Sequence, residues 1–196
     1  MPRRSPSGAR RSSIRPARRS VLVVVGAEKT ETAYLKGLAR RFRLSAVTMD
    51  VVEKPGAPDQ LVTYARDVYG SEGYGQVWCV TDVDHYEREG GKVTAAVAIA
   101  AKSGIDVAVS NPCFELWLLL HHAACSGYCA NCGAVEKKLK RSLPAYDKTR
   151  LRFEDFADGL DDAVARAKEL EPAGTDHALN PSTSVWRLVG VLLEKE

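Results

Sequence analysis

Gln76-Val77-Trp78-Cys79-Val80-Thr81-Asp82-Val83-Asp84-His85 joins an apolar run to two alternate aspartates. Val77 to Val80 lack helical spacing and follow the turn-forming Gly70-Ser71-Glu72-Gly73-Tyr74-Gly75, which predicts a buried parallel strand. Side chains two apart in an extended segment point the same way, so Asp82 and Asp84 are expected to aim their carboxylates at one point. Convergent oxygens suit a hard cation such as Mg²⁺, which takes oxygen ligands at about 2.0–2.1 Å and keeps several waters. Taken alone, Asp-x-Asp reads more readily as a polar loop with a helix cap. The surrounding chain gives it weight.

Outward from that strand the sequence alternates. Ser20 to Val25 is a β-branched apolar run closed by Gly26-Ala27, and reads as a first strand buried on both faces. Glu28-Lys29-Thr30-Glu31 follows, and from Thr32 the positions Tyr34, Leu35, Leu38 and Phe42 take up helical spacing. Ala46 to Val52 predicts a second strand, and Leu61, Ala65, Val68 and Tyr69 a second helix. After the central strand, Val93, Ala96, Val97 and Ala100 mark a third helix, and Ile105 to Val109 a fourth strand. Such alternation implies an α/β fold, an open parallel sheet flanked by helices on both faces.

Ligands of such sheets sit beyond the carboxyl ends of the strands, at the topological switch point. A strand order 2-1-3-4 would set Glu28 and Glu31 opposite Asp82 and Asp84, and bring the loop Ser110-Asn111-Pro112-Cys113-Phe114-Glu115 to the same rim. Gathered like charges either rise in pKa or bind a cation. A metal is the economical explanation.

Phe114 to His122 is apolar nearly all round and predicts a buried helix, whose first-turn Glu115 either complements the helix dipole or serves as a ligand. The alternation then stops. His121, His122, Cys125, Cys129 and Cys132 lie close together, with Cys129-Ala130-Asn131-Cys132 a knuckle of the kind that holds zinc. His121, Cys125, Cys129 and Cys132 would make a closed structural Zn²⁺ site, with His122 the substitute ligand. Cys79 and Cys113 read as core and loop residues, and His121 could equally be a packed core histidine. A basic helix spans Glu136 to Arg141, another helix runs from about Asp161 to Leu170, and Asn180-Pro181-Ser182-Thr183 is expected to open a last helix facing the core with Val185, Leu188, Val189 and Leu192.

The 196 residues, with 45% hydrophobic and 27% charged content, are those of a globular protein able to bury a core. No run approaches the roughly 20 apolar residues of a membrane span. No apolar h-region of a secretory signal opens the sequence, so the expected location is the cytoplasm. Charge is uneven: Arg3, Arg4, Arg10, Arg11, Arg15, Arg18 and Arg19 stand among prolines and serines, and without them the formal net charge falls from +3 to −4. Three segments are expected: a disordered Arg-rich tail over 1–19, an α/β domain over 20–122, and a helical C-terminal extension with the zinc knuckle over 123–196. The tail could hold nucleic acid through sequence-independent phosphate contacts, or have no role.

Glu28-Lys29-Thr30-Glu31, Thr81-Asp82-Val83-Asp84, Ser110 to His121, Tyr146-Asp147-Lys148 and Asn180-Pro181-Ser182-Thr183, in this order, resemble the RloB family. The resemblance implies a Toprim-like, Rossmann-like domain with a glutamate after the first strand and Asp-x-Asp after the third, around Mg²⁺ or Mn²⁺. It also implies bacterial defence against phage beside an AAA-type or ABC-type ATPase. One departure stands out: Gly26 occupies the position where the family usually has its glutamate, so Glu28 or Glu31 would have to reach in, or the site is degraded. For a nuclease acting on RNA, tRNA included, or DNA, Asp82, Asp84 and Glu28 would hold the ion, Glu28 alternatively serving as base. Glu31 and Glu115 are further candidates, and Lys148 would meet the phosphate charge. The competing expectations are a catalytically weak module that binds nucleic acid or an ATPase, and a sensor of a phosphorylated second messenger.

Overall fold

A computed structural model describes residues 19–26, 29–44, 47–84, 86 and 91–194, without the side chains of 69–72. The arginine-rich stretch before Arg19, Glu28 and His85 therefore lie outside the described residues.

The expected alternation is present as β1 (Arg19–Val25), α1 (Thr30–Arg41), β2 (Val47–Glu53), α2 (Pro58–Glu72), β3 (Gln76–Asp82), α3 (Lys92–Ser103) and β4 (Asp106–Asn111). The strands pair in parallel in the order β2-β1-β3-β4. Alternate side chains divide the sheet into two faces. Leu22, Val24, Val77, Cys79, Val107 and Val109 pack with Leu61, Ala65, Val93 and Ala96 of α2 and α3. Val21, Val23, Val25, Trp78 and Val80 face the other way, onto Tyr34, Leu35 and Leu38 of α1.

That second face also receives the helices after β4: α4 (Glu115–Leu120), α5 (Cys132–Ser142), α6 (Leu160–Leu170) and α7 (Val185–Leu193). Leu116 to Leu120 are all buried, as an apolar segment without a polar face requires. Phe153, Phe156, Leu160, Val185 and Leu188 share one core cluster with Val21 and Trp78, so the expected C-terminal extension packs into the sheet's own core. Two contacts leave no room for a side chain. A Cβ on Gly37 of α1 would collide with Phe153, and one on Gly159 with the carbonyl of His121.

Two expectations of local structure are corrected. Asn180-Pro181-Ser182-Thr183 does not open a helix: Ser182–Thr183 form β5, antiparallel to β4, with Ser110 opposite Thr183 and Asn111 opposite Ser182. The Ser110 and Thr183 hydroxyls meet at 2.9 Å, and the Val109 N–H donates to Ser184 Oγ at 2.9 Å, giving the edge of β4 the partners that a buried edge needs. The basic helix begins at Cys132 rather than Glu136, because Asn131 caps it by accepting from the Ala134 N–H at 3.0 Å. No helix among the described residues is long and apolar enough to cross a membrane.

Candidate metal centre

Glu31 lies in the first turn of α1, Asp82 ends β3, and Glu115 opens α4. Asp82 falls on the same sheet face as Trp78 and Val80, the face on which α1 and α4 pack, so the three carboxylates share one side of the rim. Glu31 is 3% exposed, and its Oε2 is sealed from water without a hydrogen-bond partner; Asp82 Oδ1 is in the same condition. Burial pushes Glu31 up to about 7, the neighbouring Glu115 charge adding to the rise while the backbone opposes it. Burial likewise holds Asp82 well above the usual carboxylate range, followed by the charges of Glu31, Glu115, Cys132 and Asp84. Buried acceptors without donors cost free energy unless a proton or a cation joins them.

Asp84 is the exposed member of the pair, close enough for its charge to act on Asp82. β3 ends at Asp82, and Asp84 takes φ +34°, a left-handed conformation that aspartate tolerates, with its side chain exposed. The turn is tied to the exit of β4: the Val83 N–H donates to Ser110 O and the Asp84 N–H to Pro112 O, each at 2.9 Å. Asp84 thus stands at the mouth of the site while Asp82 forms its floor.

Gly26 continues the face of Leu22 and Val24, and a Cβ there would meet Leu61, Val80 O and Thr81. A side chain at 26 would leave on the opposite face from Asp82. Glu31, delivered by α1, supplies the carboxylate on the Asp82 face.

The segment Tyr146-Asp147-Lys148 closes the same rim. Tyr146 Oη donates to Glu115 Oε1 in a long contact of 3.5 Å, and the Thr30 hydroxyl at the start of α1 reaches Lys148 O at 3.5 Å. Burial holds the Tyr146 phenol protonated, with the Glu115 charge reinforcing it. The Lys148 side chain is exposed.

The expected zinc ligands do not come together. His121 Nδ1 lies 2.7 Å from Phe156 O, an acceptor only, so this nitrogen carries the proton; Nε2 then accepts from Tyr34 Oη at 3.0 Å. Edge-on rings of Tyr34, Trp117 and Phe156 surround it, and burial holds its pKa near 3. His121 is a neutral core histidine with both nitrogens engaged. Cys125 and Cys129 pair at 3.5 Å with Lys138 Nζ 3.3 and 3.4 Å away, while Cys132 turns to the acidic rim, where its ligand atom lies within 4.8 Å of those of Cys113 and Glu115. Cys113, read from sequence as a loop residue, was the one missed. Its place two residues before Glu115, after a strand, was the available signal.

A separate cavity of about 710 Å³ lies at the amino ends of the strands, lined by Trp78, Asp106, Lys168, Trp186 and Arg187. None of Glu31, Asp82, Asp84 and Glu115 borders it.

In comparison with protein families, the model described as RloB-like protein matches residues 21–192. No curated protein and no solved structure matches the chain.

Proposed function

From a chain that belongs to the RloB-like family, we propose a Toprim-like nuclease that uses Mg²⁺ or Mn²⁺ to hydrolyse phosphodiester bonds in RNA, tRNA included, or in DNA. Its setting would be bacterial defence against phage, in the cytoplasm, beside an AAA-type or ABC-type ATPase. The observation that carries the activity is the pair of sealed, unpartnered carboxylate oxygens on Glu31 and Asp82 beside Glu115. Those residues fit a hard cation by donor type and by charge, and Asp84 at the mouth would complete the set. Bound there, the ion would supply Lewis-acid polarisation of a phosphoryl oxygen and a more acidic water.

The chain's own residues do the rest. Burial raises Glu31 to about 7 without an ion, so Glu31 would give up its proton and join a bound cation as a carboxylate ligand. Tyr146 orients Glu115 by donating to it. Lys137, Arg141, Lys148 and Arg150 are exposed on α5 and the loop after it, and would draw the phosphate backbone toward the rim through sequence-independent contacts.

A second reading, a binding module without turnover, is favoured by Gly26 and by the outward turn of Asp84. Incubating the purified protein with tRNA and plasmid DNA in Mg²⁺ or Mn²⁺, beside Asp82→Ala/Asp84→Ala, separates the two. Metal-dependent cleavage lost in the variant is the expected result. Cleavage by the variant at the original rate contradicts it, and retention of nucleic acid without cleavage by the wild type favours the module.

A further inference from the structure

We infer that Cys113, Cys132 and Glu115 hold a zinc ion. One ligand atom from each lies within 4.8 Å of the others, a span that sulfurs at about 2.3 Å and a carboxylate oxygen at about 2.0–2.2 Å from one ion would fit. Cys113 and Glu115 lie two residues apart where the chain passes from β4 into α4, and the fold brings Cys132, the first residue of α5, to them.

The carboxylates alone would describe a hard-cation site, but two thiols at the same point do not suit Mg²⁺. Thiolate and carboxylate together match a borderline ion that accepts mixed sulfur and oxygen ligands. The Cys113 and Cys132 sulfurs lie within 4.8 Å of each other, close enough to share one ion. Asp82 Oδ1 and Glu31 Oε2, both sealed and unpartnered, stand outside that three-residue group and remain for the hard cation of the proposed function. Loading would release the two thiol protons to solvent, since the thiolate is the ligand.

Zinc binding here requires thiolates and no turnover, so it stands or falls separately from phosphodiester hydrolysis. The test is Co²⁺ titration of the reduced, chelator-stripped full chain. A sulfur-to-cobalt charge-transfer band saturating at about one equivalent, with visible bands of tetrahedral cobalt, and displaced by Zn²⁺, is expected. Cys113→Ser and Cys132→Ser should each weaken that band, and the double variant abolish it, whereas Cys125→Ser/Cys129→Ser should retain it. Cys132 is partly exposed at a helix start, so Cys132→Ser alone decides the matter if Cys113→Ser does not fold. A wild type without the band, or a band that survives in the Cys113/Cys132 pair of variants, or one lost only with Cys125 and Cys129, overturns the inference. A band without nucleic-acid cleavage supports zinc and removes the hydrolysis reading; cleavage without a band does the reverse.

Discussion

Glu31 concentrates the physical cost of the site in one side chain. An acid whose folded pKa is raised destabilises the fold only when ionised: the penalty is absent below the ordinary value of 4.5, grows as pH rises, and is complete above about 7. At about 1.4 kcal/mol per tenfold change in protonation, that is on the order of 3 kcal/mol. Metal-free Glu31→Gln is therefore expected to be more stable than wild type at pH 8 and to match it near pH 4.5, read by urea unfolding in chelator. Equal stability at pH 8 would show that Glu31 is not desolvated as described. His121 pulls the other way, because a buried neutral imidazole with its pKa held near 3 loses stability as pH falls below 6.5. The difference between wild type and Glu31→Gln isolates the carboxylate. Tyr34→Phe should cost about 1–3 kcal/mol by leaving His121 Nε2 buried without a donor, measured as a lower denaturant midpoint. Asp82 was legible from sequence only through its surroundings, because the strand and helix alternation on either side gave weight to an acid at the end of an apolar strand. Whether His121 was a ligand or a core residue was not, because that depends on Phe156 and Tyr34, which lie 35 and 87 residues away.

At the scale of elements, the four parallel strands and their helices were legible because short apolar runs alternate with segments of helical spacing. β5 was hidden because two residues carry no period. Its neighbour Asn180 meets Asn111, and each of the two asparagines precedes a proline. Asn180 Oδ1 accepts from the Cys129 N–H at 2.9 Å, and its Nδ2 lies 3.0 Å from both Cys129 O and Asn111 Oδ1. One amide thus straps the cysteine loop to the end of β4. Asn180→Ala removes all three contacts, and a loss of about 1–3 kcal/mol in thermal or urea unfolding is expected. The contact of α1 with Phe153 sets the depth at which Glu31 is carried. Gly37→Ala should destabilise by about 1–3 kcal/mol through overpacking and weaken metal affinity with it, whereas an unchanged midpoint would mean that α1 yields freely.

Across the whole molecule, six of the 28 Lys and Arg stand before residue 19, far in sequence from the acidic residues of the centre. Deleting residues 1–18 should leave the far-UV spectrum intact, weaken binding to nucleic acid at low salt and flatten the dependence of log affinity on log salt, as loss of phosphate contacts requires. An unchanged slope would exclude the arginines from binding. The gathering of Glu31, Asp82 and Glu115 was legible as far as strand order could carry it, because parallel strands deliver their ends to one rim. What sequence could not supply was the side of the sheet, which turns Gly26 away and brings Glu31 in. The most direct measurement of this centre is Mn²⁺ binding to the metal-stripped protein followed by electron paramagnetic resonance at pH 8, for wild type, Glu31→Gln and Asp82→Asn. The account predicts at least a tenfold loss of affinity in each variant; binding by both variants as tight as by the wild type would contradict it.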